Sequence, residues 1–417
     1  MKKQLMTGLF TVLALTAGAQ TFQEWRNPEI NAVNRAPMHT NYFAFENADA
    51  AKKADKKQST NYMTLNGTWK FNWVKDADSR PTDFWKTDFN DKGWDDLQVP
   101  AVWELNGYGD PIYVNVGYAW RNQFQNNPPE VPTENNHVGS YRREIVVPAS
   151  WKGKDIIAHF GSVTSNMYLW VNGRYVGYSE DSKLEAEFDL TPYLKPGQKN
   201  LIAFQVFRWC DGTYLEDQDF FRYSGVGRDC YLYARNKKRI QDIRVTPDLD
   251  ATYTDGELKI NADIRNLGKK AAKGYSMVYS LYANQLYSDD NTEVNNAGIS
   301  TPVAVVEAGQ EVTAETTLKV QKPNKWSAEK PYLYTLVGEL KDKKGRTLET
   351  VSTHIGFRKV EIKDTPASED EFGLAGRYYY VNGKTVKLKG VNRHETNPGV
   401  GHAITRKMME NEIMMMK

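Results

Sequence analysis

Tyr168-Leu-Trp-Val-Asn-Gly-Arg-Tyr-Val-Gly-Tyr178 decides the fold class. Two runs of aromatic and β-branched residues flank Asn172-Gly173, a dipeptide that accepts positive φ at both centres of a two-residue turn. The stretch therefore predicts a β-hairpin. Outward from it the same signals recur. Thr68 to Trp73 alternates, as does Tyr141 to Val147, and Leu201 to Phe207 and Cys230 to Ala234 read as further strands. Short strands punctuated by Gly, Pro and Asn across about 170 residues predict a mainly β fold, a sandwich or jelly roll over residues 61–237.

A second β unit follows over 238–357. Runs at Leu258 to Ile264, Ser276 to Tyr282, Glu311 to Val320 and Leu333 to Leu340 have the spacing of a smaller immunoglobulin-like sandwich. Over 358–417 the pattern changes again. Tyr378 to Leu388 is a hairpin turned by Asn382-Gly383, and Lys389 to Glu395 reads as an apolar strand end opening into a polar loop. Thr405 can cap a helix whose Met409, Ile413 and Met416 form one apolar face. Strand, polar loop and helix are the opening unit of a (β/α)8 TIM barrel, which puts functional groups on loops after its strands. That barrel is expected to be incomplete in these 417 residues.

The N-terminal 60 residues are of another kind. Lys2 and Lys3, the apolar Leu5 to Leu15 and the small residues Ala17-Gly18-Ala19 read as an export signal over 1–19, cleaved after Ala19. A periplasmic or extracellular protein is therefore expected. Residues 20–60 read as an arm lying on the body, with Ala48 to Thr60 as an exposed tether. No later stretch is long and apolar enough for a membrane span. The net charge of +2 points to no nucleic acid. The 51 aromatic residues (11 Trp, 24 Tyr, 16 Phe) belong first to sheet packing. The cysteines, Cys210 and Cys230, are either a disulfide stapling the loop between them or two buried thiols, the plainer reading.

That loop carries the candidate chemistry. From Arg208 to Asp229 the chain reads Arg-Trp-Cys-Asp-Gly-Thr-Tyr-Leu-Glu-Asp-Gln-Asp-Phe-Phe-Arg-Tyr-Ser-Gly-Val-Gly-Arg-Asp. Carboxylates grip hydroxyls or a hard cation, aromatic faces cover the apolar face of a sugar ring, and glycines admit close backbone approach. Glu216, Asp217 and Asp219 read equally well as a framework paired to Arg208, Arg222 and Arg228. Asp211, beside Trp209 and Gly212, is the better ligand candidate. His394, after the presumed first barrel strand, is another. His394 and His402 lack the third ligand a zinc site needs. There is no P-loop, no GxSxG elbow and no GxGxxG after a strand.

At these residues the chain resembles the large bacterial β-galactosidases of glycoside hydrolase family 2. The likeness rests on Trp25 to Glu29, Leu65 to Phe71, Val99 to Trp103, Pro111 to Asn115, Val131 to Asn135, Asp181 to Lys183, Arg208 to Asp229, Trp326 to Pro331 and Gly390 to Glu395, in family order. It implies a jelly-roll sugar-binding domain, an immunoglobulin-like domain and a catalytic barrel. It implies retaining hydrolysis of terminal β-galactosides, with Asn115, Asp211 and His394 contacting the sugar and Asp211 also holding sodium. Magnesium is the other implied ion, with ligands beyond Lys417. So are both catalytic glutamates, which must stand about 5 Å apart. Glu395 is not promoted to catalyst, and no catalytic residue is assigned within the chain. The 417 residues alone are expected to be inactive, and the complete enzyme to be a homo-oligomer in keeping with its family. Thr396-Asn397 stands where many relatives carry histidines, so that subsite is expected to differ in shape. The alternatives are a secreted non-catalytic carbohydrate-binding protein and a fragment that complements a partner chain.

Overall fold

The Asn172-Gly173 turn forms as expected. Its φ values are 50° and 77°, and Met167–Val171 pairs antiparallel with Arg174–Ser179. The computed structural model describes residues 22–284, 293–370 and 372–417; the expected export signal lies outside them. Around this hairpin runs a seven-stranded sheet, in the order Ala32–Val33, Arg174–Ser179, Met167–Val171, Lys199–Phe207, Val138–Val146, Gly67–Val74, Asp95–Val99. Every neighbouring pair is antiparallel. A second sheet runs Ala186–Asp189, Asp155–Phe160, Cys230–Arg235, Tyr62–Thr64.

Alternation explains the aromatic content. Successive strand residues point to opposite faces. Leu169 and Val171 enter the core between the two sheets, with Trp69, Phe71, Tyr141, Phe204, Phe160 and Leu232. Tyr168 and Trp170 enter a second cluster on the other face, with Trp25, Trp120, Phe207 and Trp209. The large sheet is therefore covered on both sides, and the N-terminal arm is part of one cover. The arm adds the edge strand Ala32–Val33. It comes so close that a Cβ at Gly177 would lie 2.2 Å from the Val33 carbonyl.

The exposed tether expected over residues 48–60 is not what forms. Asn47 caps the helix Ala48–Lys53, its side chain accepting from the Ala50 amide at 2.9 Å. Ala51 is fully buried, and its carbonyl accepts from Ser352 Oγ at 2.7 Å. Ala48, Ala50 and Ala51 give this lysine-rich segment a small apolar face, which packs with Val337 and Tyr282 of the next unit.

That unit has a three-stranded sheet, Lys238–Leu249, Gly256–Asn266, Glu311–Val320. A four-stranded sheet completes it: Glu293–Pro302, Ser276–Asn284, Leu333–Lys341, Thr347–Ile355. One apolar cluster, including Ile260, Ile264, Met277, Leu336 and Phe357, joins the two sheets. At the junction with the first unit, Arg235 and Glu349 form an ion pair with both side chains 3% exposed.

The last segment begins as a hairpin, Val360–Thr365 with Gly376–Val381, extended by Lys384–Thr385. Thr405 caps the helix Arg406–Met416, its hydroxyl accepting from the Met408 amide at 3.3 Å. The strand expected near Lys389 to Val391 makes no ladder among the described residues. Leu388 and Val391 are 80% and 77% exposed. A parallel barrel strand is held by neighbours on both edges, and no described residue takes those places. Among the described residues no helix is long and apolar enough to cross a membrane.

Candidate functional site

A cavity of about 670 Å³ opens where the acidic run of the first sandwich meets the His394 loop. Arg208, Trp209, Glu216, Arg222, His394 and His402 are among its walls. Two short elements aim the run. Thr213–Glu216 is a single helical turn after Gly212, and Phe220–Arg222 pairs antiparallel with Ile112–Val114. Phe220 is the meeting point, its ring 5.6 Å from His394 and 5.8 Å from His402. Tyr223 meets His402 edge-on at 5.0 Å. Lys183 Nζ lies 2.7 Å from His402 Nδ1. Burial, then the Lys183 charge, lowers the His402 pKa to about 3, so a neutral ring accepts from the lysine. His394 itself is exposed on the cavity wall.

The acids divide into two kinds. Glu216 accepts from the Ser182 amide at 2.8 Å and also from its hydroxyl. Asp217 is ion-paired with Arg222. Asp219 accepts from the Tyr113 hydroxyl at 2.5 Å. All three have protein partners, but only Asp217 has the expected arginine; Arg208 and Arg228 donate to the Asp110 and Lys183 carbonyls instead. Asp211 is different. It is 7% exposed, and its side-chain partner is neither an arginine nor a hydroxyl but a second acid. Its amide donates to the Trp25 carbonyl at 3.0 Å, so the arm fixes its backbone.

Beside Asp211 stands a residue the sequence reading missed, Glu180. Ligand atoms of Glu180, Cys210 and Asp211 lie within 4.8 Å of one another. Glu180 Oε1 accepts from the Tyr178 hydroxyl at 2.5 Å. A Cβ at Gly212 would stand 2.9 Å from Glu180 Oε2, so glycine lets the two segments touch. Burial, opposed by the Tyr178 bond but reinforced by the Asp211 charge, pushes the Glu180 pKa up to about 9. Glu180 therefore keeps its proton at neutral pH. The signal for it was present: counting by two from Tyr178 puts Glu180 on the same buried face.

The structure does not bring all the expected residues to one cavity. His394 lines it, whereas Asn115 and Asp211 do not. Asn115 is exposed immediately after Ile112–Val114. Asp211 lies between two wall residues, Trp209 and Thr213, with its carboxylate turned toward Glu180. The cysteines are free and buried. Burial raises the Cys230 thiol to about 12 and holds Cys210 well above its ordinary value, so neither is a ready thiolate.

Comparison with known proteins places this architecture. Residues 62–236 match the sugar binding domain of glycosyl hydrolases family 2, residues 238–358 match the glycosyl hydrolases family 2 model, and residues 373–417 match that family's TIM barrel domain. The chain is 40% identical over 404 residues to a β-galactosidase of Priestia megaterium, covering 96% of this chain and 37% of that protein. With a β-galactosidase of Halalkalibacterium halodurans the identity is 36%, covering 94% of this chain and 36% of the relative. The chain thus spans little more than a third of these relatives. Among solved structures, a Bacteroides uniformis β-glucuronidase superposes with a TM-score of 0.67 at 21% identity, over 85% of this chain and 38% of that one. At that identity the likeness is one of fold. Three consecutive domain matches and relatives at up to 40% identity along nearly the whole chain lead to one assignment: the chain belongs to glycoside hydrolase family 2.

Proposed function

We propose that this chain is the sugar-binding and scaffolding part of an exported β-galactosidase that hydrolyses terminal β-galactosides with retention. The reading is carried by Asp211, a carboxylate 7% exposed, set between two residues of the cavity wall and partnered by a second acid, Glu180. An ionised carboxylate has about four acceptor sites, so a ligand can add to the bond from Glu180. Sugar hydroxyls and hard cations are suited to a carboxylate oxygen. On this reading Asp211 receives galactose hydroxyls, Asn115 approaches from the exposed end of its strand, and His394 contacts the ring from across the cavity.

Sodium fits Asp211 Oδ1 as a hard cation on an oxygen ligand, while the neighbouring Cys210 sulfur is a poor donor for it. Bound there, sodium would supply fixed positive charge for hydroxyl oxygens. The chain's own residues bind and orient: Trp25 holds the Asp211 backbone, Phe220 offers an aromatic face, and Lys183 keeps His402 turned. We also propose magnesium for the complete enzyme and cleavage of the export signal after Ala19, supported by Lys2, Lys3 and the small residues at 17–19.

The test is turnover by the complete enzyme of nitrophenyl β-galactoside, β-glucoside and β-glucuronide side by side. The galactoside should be hydrolysed fastest, with retention at the anomeric carbon. Preference for the glucuronide would refute the assignment. A complete gene product that binds galactose but turns over none of the three would favour the carbohydrate-binding alternative.

A further inference from the structure

Away from the cavity, the N-terminal arm crosses the junction of the two sandwiches at a histidine pair bridged by one carboxylate. His39 Nε2 lies 3.2 Å from Glu187 Oε2, and His159 Nδ1 lies 2.9 Å from Glu187 Oε1. The Tyr233 hydroxyl donates to Glu187 Oε2 at 2.7 Å. The three side chains are 12–15% exposed. His39 belongs to the arm, Glu187 to Ala186–Asp189 and His159 to Asp155–Phe160. One residue later, Thr40 binds the second sandwich, its amide and hydroxyl donating to Asp242 Oδ1 at 2.9 and 2.8 Å.

The protonation of His39 follows from its neighbours. Its Nδ1 is 2.7 Å from the Thr40 carbonyl, and its Nε2 faces the Glu187 carboxylate. Both partners are acceptors. A neutral imidazole has one N–H and one lone pair, so it satisfies one and repels the other. An imidazolium satisfies both.

We propose that His39, Glu187 and His159 form a proton-dependent clamp that fastens the arm across the two sandwiches, tight when His39 is an imidazolium and loosened when it loses a proton. The surrounding charges agree. Burial pulls the His39 pKa down, but the Glu187 hydrogen bond and charge, with the Thr40 carbonyl, leave it raised above 6.5; the Arg235 charge opposes them. Burial would raise the Glu187 carboxyl, yet the two imidazoles hold it far below its ordinary range. The other groups facing the clamp are Tyr42, 4.8 Å from the His39 ring, and Tyr231, stacked on His159 at 4.4 Å. Lys56 stands over Tyr231, and Glu349 is paired with Arg235. A raised histidine contributes its full stabilisation below the unfolded value near 6.5 and loses it as pH rises through the folded value. The clamp is thus an acid-side lock. Its release would be felt at Asp211, because the same arm carries the Trp25 carbonyl that receives the Asp211 amide.

Hydrogen exchange on the full chain tests this between about pH 6 and about pH 8.5, the range where histidine titrates. Rates are corrected for intrinsic chemistry at each pH. The reporters are the Ala36 amide, which donates to the Glu187 carbonyl at 2.8 Å, and the Thr40 amide. Wild-type protection should fall severalfold with rising pH. His39→Gln should be less protected at the acid end and flat across the range. A His39→Gln profile that tracks wild type, or a flat wild-type profile, overturns the proposal. Nitrogen-15 spectra of labelled histidine give an independent reading. His39 should be protonated at both nitrogens at about pH 6, and a neutral ring there would overturn it equally.

Discussion

Glu349→Ala tests the joint between the sandwiches. Arg235 donates from Nε to Glu349 Oε1 at 3.0 Å and from Nη2 to Oε2 at 2.8 Å. It also donates to the Ile240 carbonyl at 2.6 Å and the Tyr42 hydroxyl at 3.0 Å. Glu349 Oε2 further accepts from the Ile240 amide at 3.0 Å. Removing the carboxylate strands a buried guanidinium and a backbone N–H. Breaking such a pair costs about 3–5 kcal/mol, and the orphaned amide about 1–3 kcal/mol more. Water entering the vacated space returns part of this, so about 4 kcal/mol is a fair working figure. At about 2–4 °C per kcal/mol for a domain of 150–250 residues, the melting temperature should fall by roughly 8–16 °C. Scanning calorimetry reads the shift and shows whether the two sandwiches cease to melt together. Arg235→Met with Glu349→Leu should recover the part of the loss due to the stranded charge, leaving the cost of the Ile240 amide, because an apolar pair leaves no buried charge. A fall below about 2 °C for Glu349→Ala, or a double variant no better than the single one, would refute the reasoning.

Three further outcomes are expected. Gly177→Ala puts a Cβ 2.2 Å from the Val33 carbonyl and 2.9 Å from the Phe188 ring; a loss of about 1–3 kcal/mol in guanidinium unfolding and faster proteolysis of residues 22–36 should follow. Glu180→Gln addresses the proton beside Asp211. With its pKa raised to about 9, Glu180 binds a proton in the folded state that the unfolded chain releases. Wild-type stability should therefore decline between about pH 5 and pH 9, and the variant should decline less steeply in pH-dependent melts; parallel profiles would remove Glu180 as a cause. In the complete enzyme, Asp211→Ala should cut galactoside turnover and blunt any sodium dependence, whereas unchanged kinetics across a sodium titration would take Asp211 out of the site.

Much of the fold was legible because its signals are local. Asn172-Gly173 and Asn382-Gly383 both turn hairpins with positive φ, and alternation marked Trp69 and Phe71 as inward residues. What escaped depends on contacts far apart in sequence. The helix at Ala48–Lys53 looked like a solvated tether because its covering residues, Val337 and Ser352, lie some 300 positions away. Asp211 could be singled out from its setting in the acidic run, but its pairing with Glu180 arises only when the hairpin and the loop meet at Gly212. The Glu187 bridge was likewise invisible, since His39 and His159 are joined only by the path of the arm.

The arm also changes what counts as a module in this molecule. A single peptide from Trp25 to Phe45 supplies a carbonyl to Asp211, an edge strand to the large sheet, a histidine to Glu187 and a bridge to Thr350. Any chimaera cut at the linker near Asn236, where the sequence invites it, would leave this leader bound to one sandwich and foreign to the other. Recombination that preserves the site must exchange both sandwiches and their leader as one inherited block.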